Sequence, residues 1–156
     1  MSLDSGAVEV GRPAPDFNLR DQHNVFVSLA GLRGKAVLLV FYPLAFTGIC
    51  SAEMELLQAE LDAFQNERVQ VLAVSVDSPY TLRVFADTQG LKFPMLSDFW
   101  PHGAVAQAYG IFDANAGVAT RGTFLIDAEG IVRWKVVHEI GRARDQGEYH
   151  KALAAL

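Results

Sequence analysis

Cysteine is the scarcest reactive residue in this 156-residue chain, with Cys50 alone. An intrachain disulfide is excluded, which fits a cytoplasmic protein whose one thiol is either inert or reactive. No apolar run approaches the roughly 20 residues of a membrane-spanning helix, and no basic, apolar leader opens the chain. Thirteen lysines and arginines stand against 18 acids, a net charge of −5, with no basic cluster. Nucleic acid and anionic membrane are therefore not expected as partners. His23, His102, His138 and His150 show no metal-ligand spacing with one another or with Cys50, so no metal site is expected. Gly-rich phosphate loops are absent, and no acid pair suggests glycosidase chemistry.

What is present reads as a globular chain, 51% hydrophobic and 20% charged, of a length that suits a single domain over residues 1–156. Residues 1–15 read as an irregular leader broken by Gly11, Pro13 and Pro15, with no structural weight on the opening Met-Ser-Leu. Segments 16–19 and 25–29 suggest a hairpin around a polar turn. The continuous apolar run from Val37 to Tyr42 suggests a strand buried on both faces, closed by Pro43. A helix over about 47–65 follows, with Met54, Leu57, Leu61 and Phe64 on one face. Val69 to Val76 is a second buried strand. Ser78-Pro79 opens a helix that Gly90 ends. A short strand over 93–96, a short helix over 102–109, and strands at 123–126 and 131–137 joined by Asp127-Ala-Glu-Gly130 come next. A terminal helix over 144–156 completes the chain. Strand–helix–strand, connecting helix, antiparallel hairpin and last helix give an α/β layout: a thioredoxin-like fold, a mixed β-sheet flanked by helices, with an N-terminal hairpin extension.

Cys50 falls in the first turn of the helix that follows the central strand. Backbone N–H groups there lack intrahelical partners and carry partial positive charge, which favours a thiolate. An unpaired cysteine is more often a buried, inert small hydrophobe, but Thr47 and Pro43 at their spacings turn the balance toward a nucleophile. A thioredoxin-type exchange site would need a second cysteine at position 53, which is Glu. Full ionisation of a thiol of pKa about 8.5 raises its reactive fraction only about thirtyfold, or about 2 kcal/mol. A fast thiol enzyme needs further donors aimed at the transition state. Thr47, the Cys50 N–H and a distant cation are the candidates. Read from the residues alone, Thr47 is equally a helix cap and Pro43 a strand terminator. Arg121 is equally a solvated cation at a strand start, and Glu53 a solvated first-turn acid.

Pro43-Leu-Ala-Phe-Thr47-Gly-Ile-Cys50 resembles the Pro-x-x-x-Thr-x-x-Cys signature of the peroxiredoxins. FYPLAFTGIC, with SDFWPHGAVAQAYGIF at 97–112 and RGTFLID at 121–127, is similar to the AhpE group of one-cysteine peroxiredoxins, from about Val10 to the C-terminus. The resemblance implies catalytic roles for Cys50, Thr47, Arg121 and Pro43, with Glu53 orienting Arg121 and Pro43 shielding the sulfur. It implies reduction of hydrogen peroxide, organic or fatty-acid hydroperoxides or peroxynitrite through a sulfenic acid at Cys50, without a cofactor. Leu44 and Phe46 weakly favour organic substrates, and Leu44, Phe46 and Trp100 are the expected pocket residues. Regeneration falls to an external thiol, mycothiol with a mycoredoxin-like protein or a thioredoxin-like protein. A homodimer or higher homo-oligomer is implied. Two other classes fit the same thiol: a peroxide-sensing or partner-binding protein, and an inert thioredoxin-like scaffold.

Overall fold

A computed structural model of the chain describes residues 8–156. In chain order come β1 (Asn18–Arg20), β2 (Phe26–Ser28), a 3₁₀ turn (Ala30–Leu32), β3 (Ala36–Phe41), α1 (Gly48–Ala59), α2 (Leu61–Phe64), β4 (Val69–Ser75), α3 (Pro79–Gln89), β5 (Met95–Ser97), α4 (Ala104–Ala108), β6 (Phe112–Asp113), β7 (Val118–Ala119), β8 (Arg121–Ile126), β9 (Val132–His138) and α5 (Gly147–Ala154). Part of the leader, residues 1–7, lies outside the described residues. The remainder is tied down: Gly11 N–H donates to Val132 O (2.7 Å), Ala14 N–H to Gly130 O (2.9 Å) and Val132 N–H to Arg12 O (3.0 Å).

Seven strands form one mixed sheet in the order β2-β1-β5-β4-β3-β8-β9, and β6 with β7 forms a separate pair. β3 runs parallel to β4 and antiparallel to β8, so it is hydrogen-bonded on both edges. All six of its residues are buried, as expected of a central strand with covered faces. Its side chains alternate. Leu38, Val40 and Tyr42 join Met54 and Leu57 of α1, Phe85 of α3 and Tyr149 of α5 in one core. Val37, Leu39 and Phe41 join Phe17, Tyr109 and Phe124 in the other. Each such fully buried side chain contributes about 1.5–3 kcal/mol. The sheet is thus a thioredoxin-like α/β core with the β1–β2 hairpin added at one edge.

Three elements depart from the sequence reading. The helix expected over 47–65 breaks at Glu60 into α1 and α2, with the Glu60 N–H reaching back to Leu56 O (3.3 Å). Apolar periodicity continues across the break, so pattern alone misses it. The β6–β7 pair is too short for any period of two to show. Arg121 is the first residue of β8 rather than a residue ahead of it. The α3 signals act as read: Ser78 Oγ accepts from Thr81 N–H, Pro79 stands at the first position, and Gly90 closes the helix at φ 67°.

Candidate active site

β3 delivers the chain to the loop 43–47. Tyr42 N–H still donates to Val74 O (3.0 Å), extending the β3–β4 pairing by one residue. Pro43 then ends the ladder, having no donor to give. Ala45 N–H donates to Asp77 Oδ2 (2.8 Å), which pins the loop to the far end of β4. Phe46 sits at φ 69°, a left-handed conformation that a bulky residue rarely holds and that costs about 1–3 kcal/mol. Its ring packs on Phe85 at 5.1 Å between centroids, and that contact helps hold the bend. The turn at Phe46 brings the chain into α1 with Thr47 as its last non-helical residue.

Cys50 is the third residue of α1 and is 0% exposed. Its N–H has no acceptor among the described residues, while the next amide, Ser51 N–H, already donates to Thr47 O (2.8 Å). The helix start therefore offers a free donor at the cysteine itself. Thr47 does not cap the helix with its side chain. Its hydroxyl donates to Leu44 O (2.9 Å) and closes the loop on itself. That corrects the cap reading, and it leaves the Thr47 oxygen free to accept rather than donate.

Arg121 is 2% exposed, not solvated. The β3–β8 register pairs Val40 with Thr123, so two residues further along, Arg121 lies beside the strand end from which the Cys50 loop departs. Its Nε donates to Ile140 O (2.6 Å) and its Nη1 to Glu53 Oε1 (2.6 Å). Glu53 is likewise buried, one turn after Cys50 on α1, which rules out the solvated-acid reading. The carboxylate has a second partner that the sequence analysis does not single out, Arg144. From Arg144, Nη2 donates to Glu53 Oε1 (2.8 Å), while Nε (3.1 Å) and the backbone N–H (2.8 Å) donate to Oε2. Its Nη1 donates to Phe41 O (2.7 Å), Gly122 O (3.2 Å) and Thr123 Oγ1 (3.1 Å). Two buried cations thus share one buried carboxylate beneath the first turn of α1. Burial alone raises the Glu53 carboxyl. The Arg144 hydrogen bonds and charge, with the Arg121 charge, outweigh it and hold the group below its ordinary value of 4.5. The signal that would find Arg144 is weak: one arginine in an irregular stretch, three residues before α5 begins at Gly147.

The proposed pocket residues divide. Leu44 is 39% exposed and Phe46 52% exposed, both on the Cys50 loop, whereas Trp100 is 80% exposed. Trp100 lines a cavity of about 260 Å³ with Phe26, Arg20, Pro79, Ser97 and Phe99, none of them in that loop. Asp77, which anchors the loop through Ala45, also accepts from Ser75 Oγ (2.6 Å). Among the described residues no group of three or more metal-ligating side chains occurs.

Residues 10–135 match the family model described as the AhpC/TSA family. The chain is 53% identical over 150 residues to alkyl hydroperoxide reductase E of Mycobacterium tuberculosis, covering 96% of this chain and 98% of that one. The chain belongs to the AhpC/TSA family, as a peroxiredoxin of the alkyl hydroperoxide reductase E type. Solved structures agree. AhpC of Enterococcus faecalis matches this peroxiredoxin with a TM-score of 0.87 at 29% identity, over 95% of this chain and 92% of that one. The reduced 2-Cys peroxiredoxin of Plasmodium vivax matches with a TM-score of 0.84 at 34% identity, over 94% and 80%. This peroxiredoxin is accordingly a thiol-dependent peroxidase, an oxidoreductase, and its single cysteine makes it the one-cysteine type. No helix among the described residues is long and apolar enough to cross a membrane.

Proposed function

We propose that Cys50 reduces hydroperoxides by in-line attack of its thiolate on the terminal peroxide oxygen. The S–O bond forms as the O–O bond breaks, two electrons pass from sulfur to oxygen, and water or an alcohol leaves. Cys50 is left as a sulfenic acid. Arg121 and the Cys50 N–H donate to the oxygens as charge moves between them. Thr47 accepts from the peroxide O–H, since its own proton is committed to Leu44 O, and so orients the substrate. Pro43 keeps water from the sulfur. Glu53, with Arg144, positions the Arg121 guanidinium. The observation that carries this reading is the buried Glu53 carboxylate, which rides on the cysteine's own helix and grips Arg121 at 2.6 Å.

The substrates under this reading are hydrogen peroxide, organic and fatty-acid hydroperoxides or peroxynitrite. The exposed apolar Leu44 and Phe46 lie where an alkyl chain would rest, while Trp100 contributes only if its segment closes over that loop. An external thiol of the mycothiol and mycoredoxin type, or a thioredoxin-like protein, resolves the sulfenic acid. The protein works in the cytoplasm as a single-domain subunit of a homodimer or higher homo-oligomer. Cys50→Ser abolishes peroxide consumption in the presence of a reducing thiol. Retained turnover in that variant contradicts the assignment.

A further inference from the structure

β9 ends at His138, opposite Arg121 in the β8–β9 register. The chain then crosses to α5 over residues 139–146. Arg142 N–H donates to Glu139 O (3.1 Å) and folds the start of this segment into a turn. Gly141, Arg142 and Ala143 are exposed, whereas Ile140 is half-buried and Arg144 buried. Two inward grips thus flank an exposed link. Ile140 O accepts from Arg121 Nε at 2.6 Å. Arg144 holds Glu53 through its backbone N–H and its guanidinium. The segment is a strap across the Arg121–Glu53 pair. Its far end is seated by α5, where buried Tyr149 bonds to Thr123 Oγ1 (3.3 Å) and packs edge-on against Phe64 and Trp134.

A guanidinium is planar and carries five N–H donors on three nitrogens. One hydrogen bond fixes one nitrogen and leaves the plane free to pivot about it. Arg121 has two anchors on different nitrogens, Nε on Ile140 O and Nη1 on Glu53 Oε1, each at 2.6 Å. Two anchors on one rigid plane set its tilt. Nη2 has no acceptor among the described residues, so it is the corner left for a substrate oxygen. With Glu53 alone, that corner would swing. A donor stabilises a transition state most when it is already in place as the charge moves, and a misplacement of about 1 Å can cost about a hundredfold in rate. The acceptor at residue 140 belongs to the main chain, so no side-chain pattern in the sequence marks it.

We propose that Ile140 is a positioning residue for peroxide reduction, whose main-chain carbonyl fixes the plane of the Arg121 guanidinium. The proposal rests on the catalytic reading of Arg121 above. It adds the second anchor, which neither Glu53 nor Arg144 supplies.

Backbone esters test it. Gly141→glycolic acid turns the 140–141 amide into an ester, which weakens the Ile140 carbonyl as an acceptor and changes no side chain. The Gly141 N–H donates to nothing among the described residues, so its replacement removes no hydrogen bond. Ala143→lactic acid makes the same change at the Arg142 carbonyl, which accepts no hydrogen bond among the described residues, and serves as the control. Single-turnover oxidation by hydrogen peroxide is measured for both esters in the wild-type and Arg121→Lys backgrounds. Weakening a hydrogen bond to a charged group predicts oxidation roughly three- to tenfold slower for the Gly141 ester, with the Ala143 ester within about twofold of wild type. Lysine presents a single nitrogen and no plane to fix, so in the Arg121→Lys background the two esters react alike. In NMR spectra the Arg121 Nε–H exchanges with solvent faster in the Gly141 ester than in the control. Equal rates for the two esters in the wild-type background overturn the role of Ile140. So does the same slowing by the Gly141 ester in both backgrounds, because a general loosening of the fold acts whatever residue stands at 121. An Arg121→Lys protein as fast as wild type overturns the catalytic reading of Arg121 instead.

Discussion

At the residue scale, the group that ties the buried charges together is Glu53, which accepts from both Arg121 and Arg144. A buried carboxylate with two arginines is not in itself a gain over an apolar core, because desolvating the charges offsets their attraction. Removing one member, however, leaves the others uncompensated. Arg144 spans Glu53, two carbonyls and the Thr123 hydroxyl with one planar fork, a geometry that lysine cannot reproduce. Glu53→Gln therefore destabilises the fold by about 3–5 kcal/mol in chemical denaturation at neutral pH. The pH dependence has a definite sign. The folded Glu53 pKa lies below the ordinary 4.5, so the unfolded chain binds the extra proton as pH falls. The contribution is complete above about 4.5 and is lost progressively as pH falls from there through the folded value. Asp98 has the opposite slope, because burial raises its carboxyl despite the bonds from Val105 and Ala106 and the His102 charge. The difference between wild type and Glu53→Gln cancels Asp98. That difference shrinks as pH falls below 4.5; one that stays constant with pH contradicts the network's role.

At the scale of elements, the site depends on how the 43–47 loop is held between β3 and α1. Four features fix it: the Ala45–Asp77 bond, the Thr47–Leu44 bond, the left-handed Phe46 and the Phe46–Phe85 contact. Asp77→Ala removes the acceptor for both Ala45 N–H and Ser75 Oγ. The predicted result is faster hydrogen exchange at the Ala45 amide and slower peroxide oxidation, with melting lowered by the equivalent of about 1–3 kcal/mol. Unchanged exchange at Ala45 contradicts the anchoring role. These features also mark the limit of what the sequence makes legible. The β3–α1–β4 unit, α3 with its Ser78 and Gly90 ends, and the β8–β9 hairpin are all readable, because period, capping and turn residues act locally. Cys50 at a helix start is readable for the same reason. The burial of Arg121 and Glu53, the part played by Asp77, and Arg144 depend on pairings across 68, 32 and 91 positions of sequence, for which no local pattern exists. The Thr47 hydroxyl turns back to Leu44 although the spacing equally allows a cap.

At the scale of the whole molecule, the apolar surface is unevenly spent. Two cores are sealed, while Phe46, Tyr80, Val84 and Trp100 remain exposed. Tyr80 and Val84 stand one turn apart on α3, the helix against which Phe46 packs. A homodimer would cover such side chains, and light scattering of reduced protein is expected to give at least twice the 17.0 kDa of the chain; a strict monomer contradicts the assembly proposed above. Closure of the interior matters equally for chemistry. Cys50 is fully buried; in the proposed reaction peroxide reaches it past the exposed Leu44 and Phe46, and the closed interior keeps water out. In that dry setting the charge of Arg121 acts at greater strength than in water. The central claim is that this assembly, and not thiol ionisation alone, drives the reaction. Single-turnover stopped-flow oxidation by hydrogen peroxide tests it most directly, with tryptophan fluorescence and a thiol assay in parallel, on wild type and Arg121→Ala. Wild type is expected to react orders of magnitude faster than a free thiolate, and Arg121→Ala to lose orders of magnitude of that rate. Wild type at the free-thiolate rate, or an Arg121→Ala variant as fast as wild type, contradicts the account.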